Sequence, residues 1–488
     1  MKSRQLTLDE QLCGRTAKPF EFRSKYDAAQ TTAENRRHWA NADGYSATAA
    51  NSPDVRKKLR ERARYERDND PHLNGLVKTL AYDLIGTGPR LQLQFAEADY
   101  EKGREIELAW SNWCRTVGLA DKLRILHESR PVDGESFGLL STNRQNAHPI
   151  KLDFQLIECD RVCSATMTDE VDPNEDDGIR YDNAGNPTDY RITKLHPGDN
   201  LIGIGSDDAT WFTADRVIHW FRASRPGQRR GVSEIASCIA IGAQTRRYAQ
   251  AVLTAAEFAA MLAGVMKTNG QANTDDPVDI ESLDEVELVR GALLTLPEGW
   301  DAQQFKAEQP TGTYSEFVED KRGELGRPLL APRNVITGNS SGYNYSSGRL
   351  DHVPYHRSVW IERERMRGLV IDRIFMAWLT EASLAGFIDL NLQPWSIWNW
   401  NWQWDGFASL DPMKDAQATQ LRLQVGLTTL SEECAAEGRD WREVIDQQAI
   451  EREYMASKGI DPYGIPPAPV AVAPAETDTA DETEDADV

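Results

Sequence analysis

The sequence predicts an α+β protein made of several packed modules, and three observations lead there. The chain has 488 residues, more than one hydrophobic core usually supports. Apolar periodicity is helical over Pro53–Ile85 and again from Val232, Arg349 and Lys414. Short strand-like runs lie between the first two, at Leu91–Phe95, Leu152–Ile157, Tyr190–Leu195 and Val217–Phe221. A hydrophobic fraction of 40% with 14 Trp, 14 Tyr and 13 Phe excludes global disorder. No apolar run approaches the eighteen residues of a membrane span, and MKSRQLTLDEQ lacks a signal core, so the expected address is the cytosol of the cell that makes the chain.

In order along the chain, residues 1–53 are polar and irregular, with one short helix expected at Thr32–Trp39. The helical stretch Pro53–Ile85 must break at Asp70-Pro71, because proline disfavours helical geometry in the residue before it. Its first part, RKKLRERARYERDND (Arg56–Asp70), is basic. Such a face contacts nucleic acid or an acidic neighbour, or it is simply solvated, since Glu61, Glu66, Asp68 and Asp70 moderate the charge. A mixed region follows, punctuated by the turn sequences PNEDDG and DNAGNP. The tract VIHWFRASRPGQRRG (Val217–Gly231) is a strand followed by a Pro226-Gly227 turn crowded by Arg222, Arg225, Arg229 and Arg230.

From Val232 to Ala263 an Ala-rich helix is expected, a rod of roughly 45 Å whose small residues let neighbouring helices approach closely. Strands at AGVMKTN (Ala263–Asn269) and ALLTLPEGW (Ala292–Trp300) flank a helix at Ile280–Arg290. A second helix runs from Tyr314 to about Glu324 and is ended by Gly323, Gly326 and Pro328. TGNSSGYNYSSGR (Thr337–Arg349) has no residues for a core and reads as a loop. After it comes a long helix to Leu384. Trp398, Trp400, Trp402 and Trp404 alternate with polar residues, which puts four indoles on one strand face. Base or sugar stacking is conceivable there, but structural packing is favoured. Lys414–Lys458 is helical with breaks at Gly426 and Gly438. Residues 461–488 are proline-rich, then acidic without a basic residue, and read as disordered.

No catalytic constellation emerges. A GxxxxGK[ST] loop and a GxSxG elbow are absent, and Gly86-Thr87-Gly88 and Gly203-Ile204-Gly205 read as turns. Asp133 and Glu135 flank Gly134 and read as a glycine turn between helix and strand rather than a carboxylate pair. Six cysteines spread through a long chain suit reduced thiols, and the Cys159/Cys163 spacing is a poor zinc signature. His352 and His356 are separated by Pro354, which spoils a regular turn between them. No catalytic residue, metal or cofactor is therefore expected. A net charge of −22, from 77 acidic against 55 basic residues, is the wrong sign for a protein that grips nucleic acid.

Five tracts resemble, in collinear order, the lambda-family portal proteins of tailed bacteriophages. They are RARYERDNDPHLNGLVKTLAYDLIGTGPRLQ (Arg62–Gln92), VDGESF (Val132–Phe137), Val217–Gly231 with the helix after it, NYSSGR (Asn344–Arg349) and DPMKDAQATQLRLQVGLTTLSEECAAEGRDW (Asp411–Trp441). The resemblance spans about Arg56 to Met455 and implies a portal fold assembled as a ring of about twelve subunits. It divides the chain into an N-terminal arm (1–53), a wing (54–231), a stem helix (232–263), a clip (264–313), a second stem helix (314–336), a tunnel loop (337–348), a long wing helix with the Trp-rich strand (349–412), a crown (413–460) and the acidic tail (461–488).

The implied function is a channel at one capsid vertex of the virion, through which double-stranded DNA is packaged and ejected. The implied partners are the terminase large subunit, the major capsid and scaffold proteins and a head–tail adaptor, with assembly in the host bacterial cytoplasm and no membrane contact. DNA contact is expected to be weak and non-specific. The implied channel residues are Gly338, Asn339, Ser340, Ser341, Gly342, Tyr343, Asn344, Tyr345, Ser346 and Ser347. The alternatives are a terminase-like ATPase or nuclease, which an ATPase assay would reveal, and a head–tail adaptor.

Overall fold

The computed structural model describes residues 32–33, 36–95, 99–165, 174–199, 208–261, 265–268, 300–303, 313–387, 398–407 and 411–459. Pro53 and Pro71 each open a helix, where a missing N–H leaves nothing unpaired. These are α1 (Pro53–Asn69) and α2 (Pro71–Ile85). Asp70 breaks the chain between them and caps α2 by accepting from the amides of His72 and Leu73 at 2.9 and 3.3 Å. Gly86 and Gly88 turn with φ of 56 and 110°, as the sequence suggests, into β1 (Arg90–Leu93). Then come α3 (Tyr100–Val117) and α4 (Leu119–Asp133), joined through Gly118. At Gly134, with φ of 90°, α4 gives way to β2 (Glu135–Thr142), so the glycine turn between helix and strand stands as read.

Strand β2 is central. β3 (Leu152–Ile157) pairs antiparallel on one side of it. A second antiparallel sheet runs β4 (Glu175–Asp176), β5 (Ile179–Tyr181), β6 (Pro187–Thr193) and β7 (Ala209–Thr213) in sequence order. In the DNAGNP turn before β6, Asp182 Oδ1 accepts from Ala184 and Asn186 amides. β8 (Val217–Phe221) then returns to the other edge of β2.

The long helix begins later than the sequence suggests: α5 spans Ile239–Met261. Residues 234–238 form turns, with the Glu234 and Ile235 amides donating to Pro131 O at the end of α4. β9 (Val265–Thr268) pairs with β10 (Trp300–Gln303). The second of these strands starts where the expected one ended, while residues 292–299 and the expected helix Ile280–Arg290 lie outside the described residues. α6 (Tyr314–Gly326) continues through Gly323, and it is the following Arg327–Leu329 turn with Pro328 that stops it. α7 (Arg333–Thr337) is short. α8 (Tyr345–Met366) passes unbroken through Pro354, against the expectation of a spoiled turn. A π turn at Arg367–Ile371 joins it to α9 (Asp372–Leu384).

β11 (Trp400–Gln403) pairs antiparallel with β1. α10 (Pro412–Gln424), α11 (Leu430–Ala436) and α12 (Trp441–Ser457) follow, separated at Gly426 and Gly438 with φ of 72 and 76°. At Thr32–Trp39 the described residues make turns rather than a regular helix, and none of them is buried. The Gly203-Ile204-Gly205 turn and the tail 461–488 lie outside the described residues.

One large core joins α2, α3, α4, the β2 sheet, α8, α9 and β11. Its centre is aromatic: Trp110 lies 5.0 to 5.7 Å from Trp113, Phe375, Trp378 and Trp402, pairs worth about 0.5–1.5 kcal/mol each beyond their buried area. The four tryptophans of the alternating strand are packing residues. Trp398, Trp402 and Trp404 are buried, and the indole N–H groups of Trp400 and Trp402 both donate to Asp372 Oδ1, at 2.8 and 2.7 Å.

Candidate functional site

Arg56, Arg60 and Arg64 recur every four residues on α1 and so share one face. Arg56 and Arg60 are buried and Arg64 half-buried, facing the end of α4 and the start of β2. Glu135, fully buried just past Gly134, is the hub. Its oxygens accept from Arg60 Nη2 at 2.5 Å, Arg230 Nη2 at 2.6 Å, Arg230 Nε at 3.0 and 3.1 Å and the Gly231 amide at 2.9 Å. His219 Nε2 lies 3.0 Å away, and its ring is sandwiched between Phe137 and Phe221 at 4.3 Å from each.

The cluster extends outward through ion pairs of Arg64 with Asp133 and Asp160 at 2.6 Å, and of Arg56 and Arg230 with Asp177. Four guanidinium groups thus oppose four carboxylates. Burial by itself would raise the Glu135 carboxyl, but Arg230 foremost, then the His219 bond and Arg60, hold it well below the usual range. Burial keeps His219 below the ordinary imidazole value despite Glu135.

The basic stretch of α1 therefore meets an acidic neighbour within its own chain, and the solvated-face reading is corrected for this face. Every Glu135 lone pair is engaged, so the arrangement clamps helix, sheet and the Arg-rich turn and offers no free base. The signal available in the sequence was the i, i+4 arginine spacing together with the DGE and QRRG segments.

Another buried arginine, outside this cluster, is held without an ion pair. Arg363 on α8 donates to Leu84 O, Asp83 O and Asp405 O at 3.1, 2.8 and 2.9 Å and packs against Trp360, Trp404 and Phe407. Two of these acceptors are last-turn carbonyls of α2, where a cation complements the helix dipole. Burial lowers it to about 10, against the pull of Asp405 and Asp83.

The ten residues expected in the channel loop divide into two groups. Gly338–Asn344 form an exposed to half-buried connection: Gly338 is left-handed with φ of 65°, and Asn339 Oδ1 accepts from the Ser341 amide at 2.9 Å. Tyr345, Ser346 and Ser347 instead form the first turn of α8, which corrects the loop boundary. The cause is a capping box: Asn344 Oδ1 accepts from Ser347 N at 2.8 Å, and Ser347 Oγ accepts from Asn344 N at 3.0 Å. Tyr343 is tethered at the loop base, its phenol raised by burial and then by the bond to Asp351.

The base is also tied across elements, Asn334 to His352 at 3.0 Å and Arg333 to Glu319 at 2.9 Å. His356 stacks on Phe407 at 3.8 Å, so this histidine pair serves packing. Cys159 and Cys163 are free thiols, and burial raises both. Among the described residues no three His, Cys, Asp or Glu side chains gather as a metal site.

Among the described residues, two surfaces lack partners. α5 packs on α6 through Tyr248 with Tyr314 and Phe317, yet Leu253 is 62% exposed. α10, α11 and α12 contain no buried residue. Met413, Leu421 and Val425 fall on one face of α10 and its C-terminal end, and all three are exposed. Leu421 and the nearby Leu427 are 60 and 77% exposed.

The sequence profile described as phage portal protein, lambda family, matches residues 33–363. The probable portal protein of Halomonas phage phiHAP-1 is 22% identical over 452 residues, covering 87% of this chain and 86% of its own. Portal protein B of Escherichia phage lambda is 20% identical over 406 residues, covering 74% and 75%. Among solved structures, a chain from the virion of a native gene transfer agent particle covers 78% of this chain and 92% of its own, at 14% identity and a TM-score of 0.46.

Proposed function

Because this chain belongs to the lambda family of phage portal proteins, we propose that about twelve copies form a ring at one capsid vertex and conduct double-stranded DNA during packaging and ejection. The ring nucleates head assembly, docks the terminase large subunit, and contacts capsid, scaffold and head–tail adaptor. The ATPase partner supplies the work of translocation. One observation carries the ring reading: a complete core sits beside helices α10–α12 that bury nothing of their own, although isolated helices of this length are marginal in water. A neighbouring subunit supplies the missing contacts there and along the alanines of α5, so that the core, α5 and α10–α12 serve as wing, stem and crown.

Gly338–Asn344 is the channel loop in this reading. Its small polar residues touch phosphates without adding fixed charge, and the net charge of −22 favours passage over grip. Electron micrographs of the purified protein test the ring, and a strictly monomeric species at about micromolar concentration over a range of salt overturns it. Replacing Gly338–Tyr343 with a shorter Gly-Ser linker, which removes Asn339 and Tyr343, should leave rings intact while packaged DNA per procapsid falls. Normal packaging by that variant removes the loop from the channel.

A further inference from the structure

The C-terminal helices meet the rest of the chain across one cleft. At its root two glycines permit close approach: a Cβ on Gly438 would collide with Trp404 O, and one on Gly406 with Ala436 O. From Gly438, with φ of 76°, α12 leaves as a lever over α3 and β1. Polar contacts hold its first turns. Asp440 Oδ2 accepts from Gln92 Nε2 at 2.6 Å, the Arg442 guanidinium lies 4.8 Å from the Tyr100 ring, and Arg104 reaches Asp446 at 3.9 Å. No side chain of α12 is fully buried, and its apolar hold is limited to the half-buried Trp441 and Val444. Beneath it opens a cavity of about 600 Å³.

Glu107 of α3 lines that cavity, half-buried, with Oε1 accepting from the Leu93 amide at 2.5 Å. Asp440 and Glu443 from α12 act to raise its carboxyl and Arg104 from its own helix to lower it, and Arg442 of α12 with Glu364, Arg367 and Glu432 also lines this cavity. β1 contributes the Leu93 amide, the neutral Gln92 and, along the adjoining cavity that Glu107 also lines, Arg90. The lever groups that weigh most on Glu107 are thus both like charges, and the floor group that weighs most is the opposite one, Arg104.

We propose that Glu107 is a proton-controlled latch for α12, closed when the carboxyl is protonated and loosened when it ionises against Asp440 and Glu443. The sign follows from linkage. Burial first, then Asp440 and Glu443, push the carboxyl up to about 7, against the Leu93 amide and Arg104. Docking is strongest below the value the carboxyl takes with α12 away and weakens as pH rises from there to about 7, by at most tenfold per pH unit. This concerns contacts within one chain and does not depend on the ring reading.

Backbone hydrogen exchange of residues 441–457 in the full-length protein, corrected for intrinsic rates, tests it between about pH 5.5 and about pH 8. Protection should fall several-fold as pH rises in the parent chain. Glu107→Gln, which keeps an oxygen for the Leu93 amide, should hold high protection with no slope. Glu443→Gln, at an exposed position where folding is not at stake, should move the fall to lower pH by removing one of the repelling charges. Flat protection in the parent chain overturns the latch. So does an unchanged slope in Glu107→Gln, and so does an unmoved midpoint in Glu443→Gln.

Discussion

The core built on α1–α4 and the helices α10–α12 solve opposite problems. Around Glu135 a carboxylate is taken out of water and every lone pair is satisfied by arginines, a histidine and an amide from distant parts of the chain. In α10–α12 the ends are well capped, by Asp411, by Thr429 with Glu432 and by Asp440, yet the sides remain bare. The first region is stable on its own terms. The second has its local geometry specified and, in the ring reading, its packing left to a neighbouring subunit. Substitutions in the two regions should therefore register in different measurements.

The largest effect is expected at the hub. Glu135→Ala leaves Arg60 and Arg230 buried without their acceptor and should cost about 3–5 kcal/mol in denaturant titrations. A loss below about 1 kcal/mol would mean that water reaches the cluster. Gly134→Ala comes next. It forces a side chain into positive φ and against the main chain of Val232 and Ser233, so backbone strain alone should cost about 1–3 kcal/mol, read as a shift in unfolding midpoint.

The two regions should also respond to pH with opposite sign. Burial holds His127 and His219 below the ordinary imidazole value, and Glu135 sits well below the carboxylic one. The core keeps their contribution above 6.5 and loses it in two stages as pH falls, first below 6.5 and then below 4.5. Docking of α12 should instead tighten over the fall from about 7. Unfolding midpoints collected across that range, beside hydrogen exchange of α12, would expose any common trend.

A smaller effect is expected from Asn344→Ala, which removes the α8 cap at a cost of about 1 kcal/mol by thermal melting. The smallest change in chain stability, within about 0.5 kcal/mol, belongs to Leu421→Ser, because that side chain is 60% exposed. Ring yield by size exclusion should nonetheless drop for it, and a normal yield would assign that face of α10 to some other contact.

The contrast also explains what could be read from the sequence. Strands Leu152–Ile157 and Val217–Phe221 were readable to the residue because their periodicity and flanking turns agree with the sheet that buries them. The breaks at Asp70, Gly426 and Gly438 follow from proline and glycine chemistry alone. The start of α5 was not readable: Val232–Cys238 has helical composition, but Pro131 O captures two of its amides, a contact about a hundred residues away in the chain. The inward face of α1 was missed for a related reason, since a basic run gives no sign of whether its counter-ions are water-borne or arrive from β2. Of the candidate loop, the polar stretch was visible, while its far boundary depended on the Asn344–Ser347 reciprocal bonds.

Gly134 and Gly231 bring two main chains into direct contact, because a methyl group on either would strike the other's segment. Side chains between elements act as springs, since rotamers shift under load. A force drawn along α5 passes through residues 232–238 to Pro131 and Gly134 as backbone pressing on backbone, and so reaches β2 with little give. At this joint the approach of the two segments is set by main chain, with no room for a methyl group on either glycine.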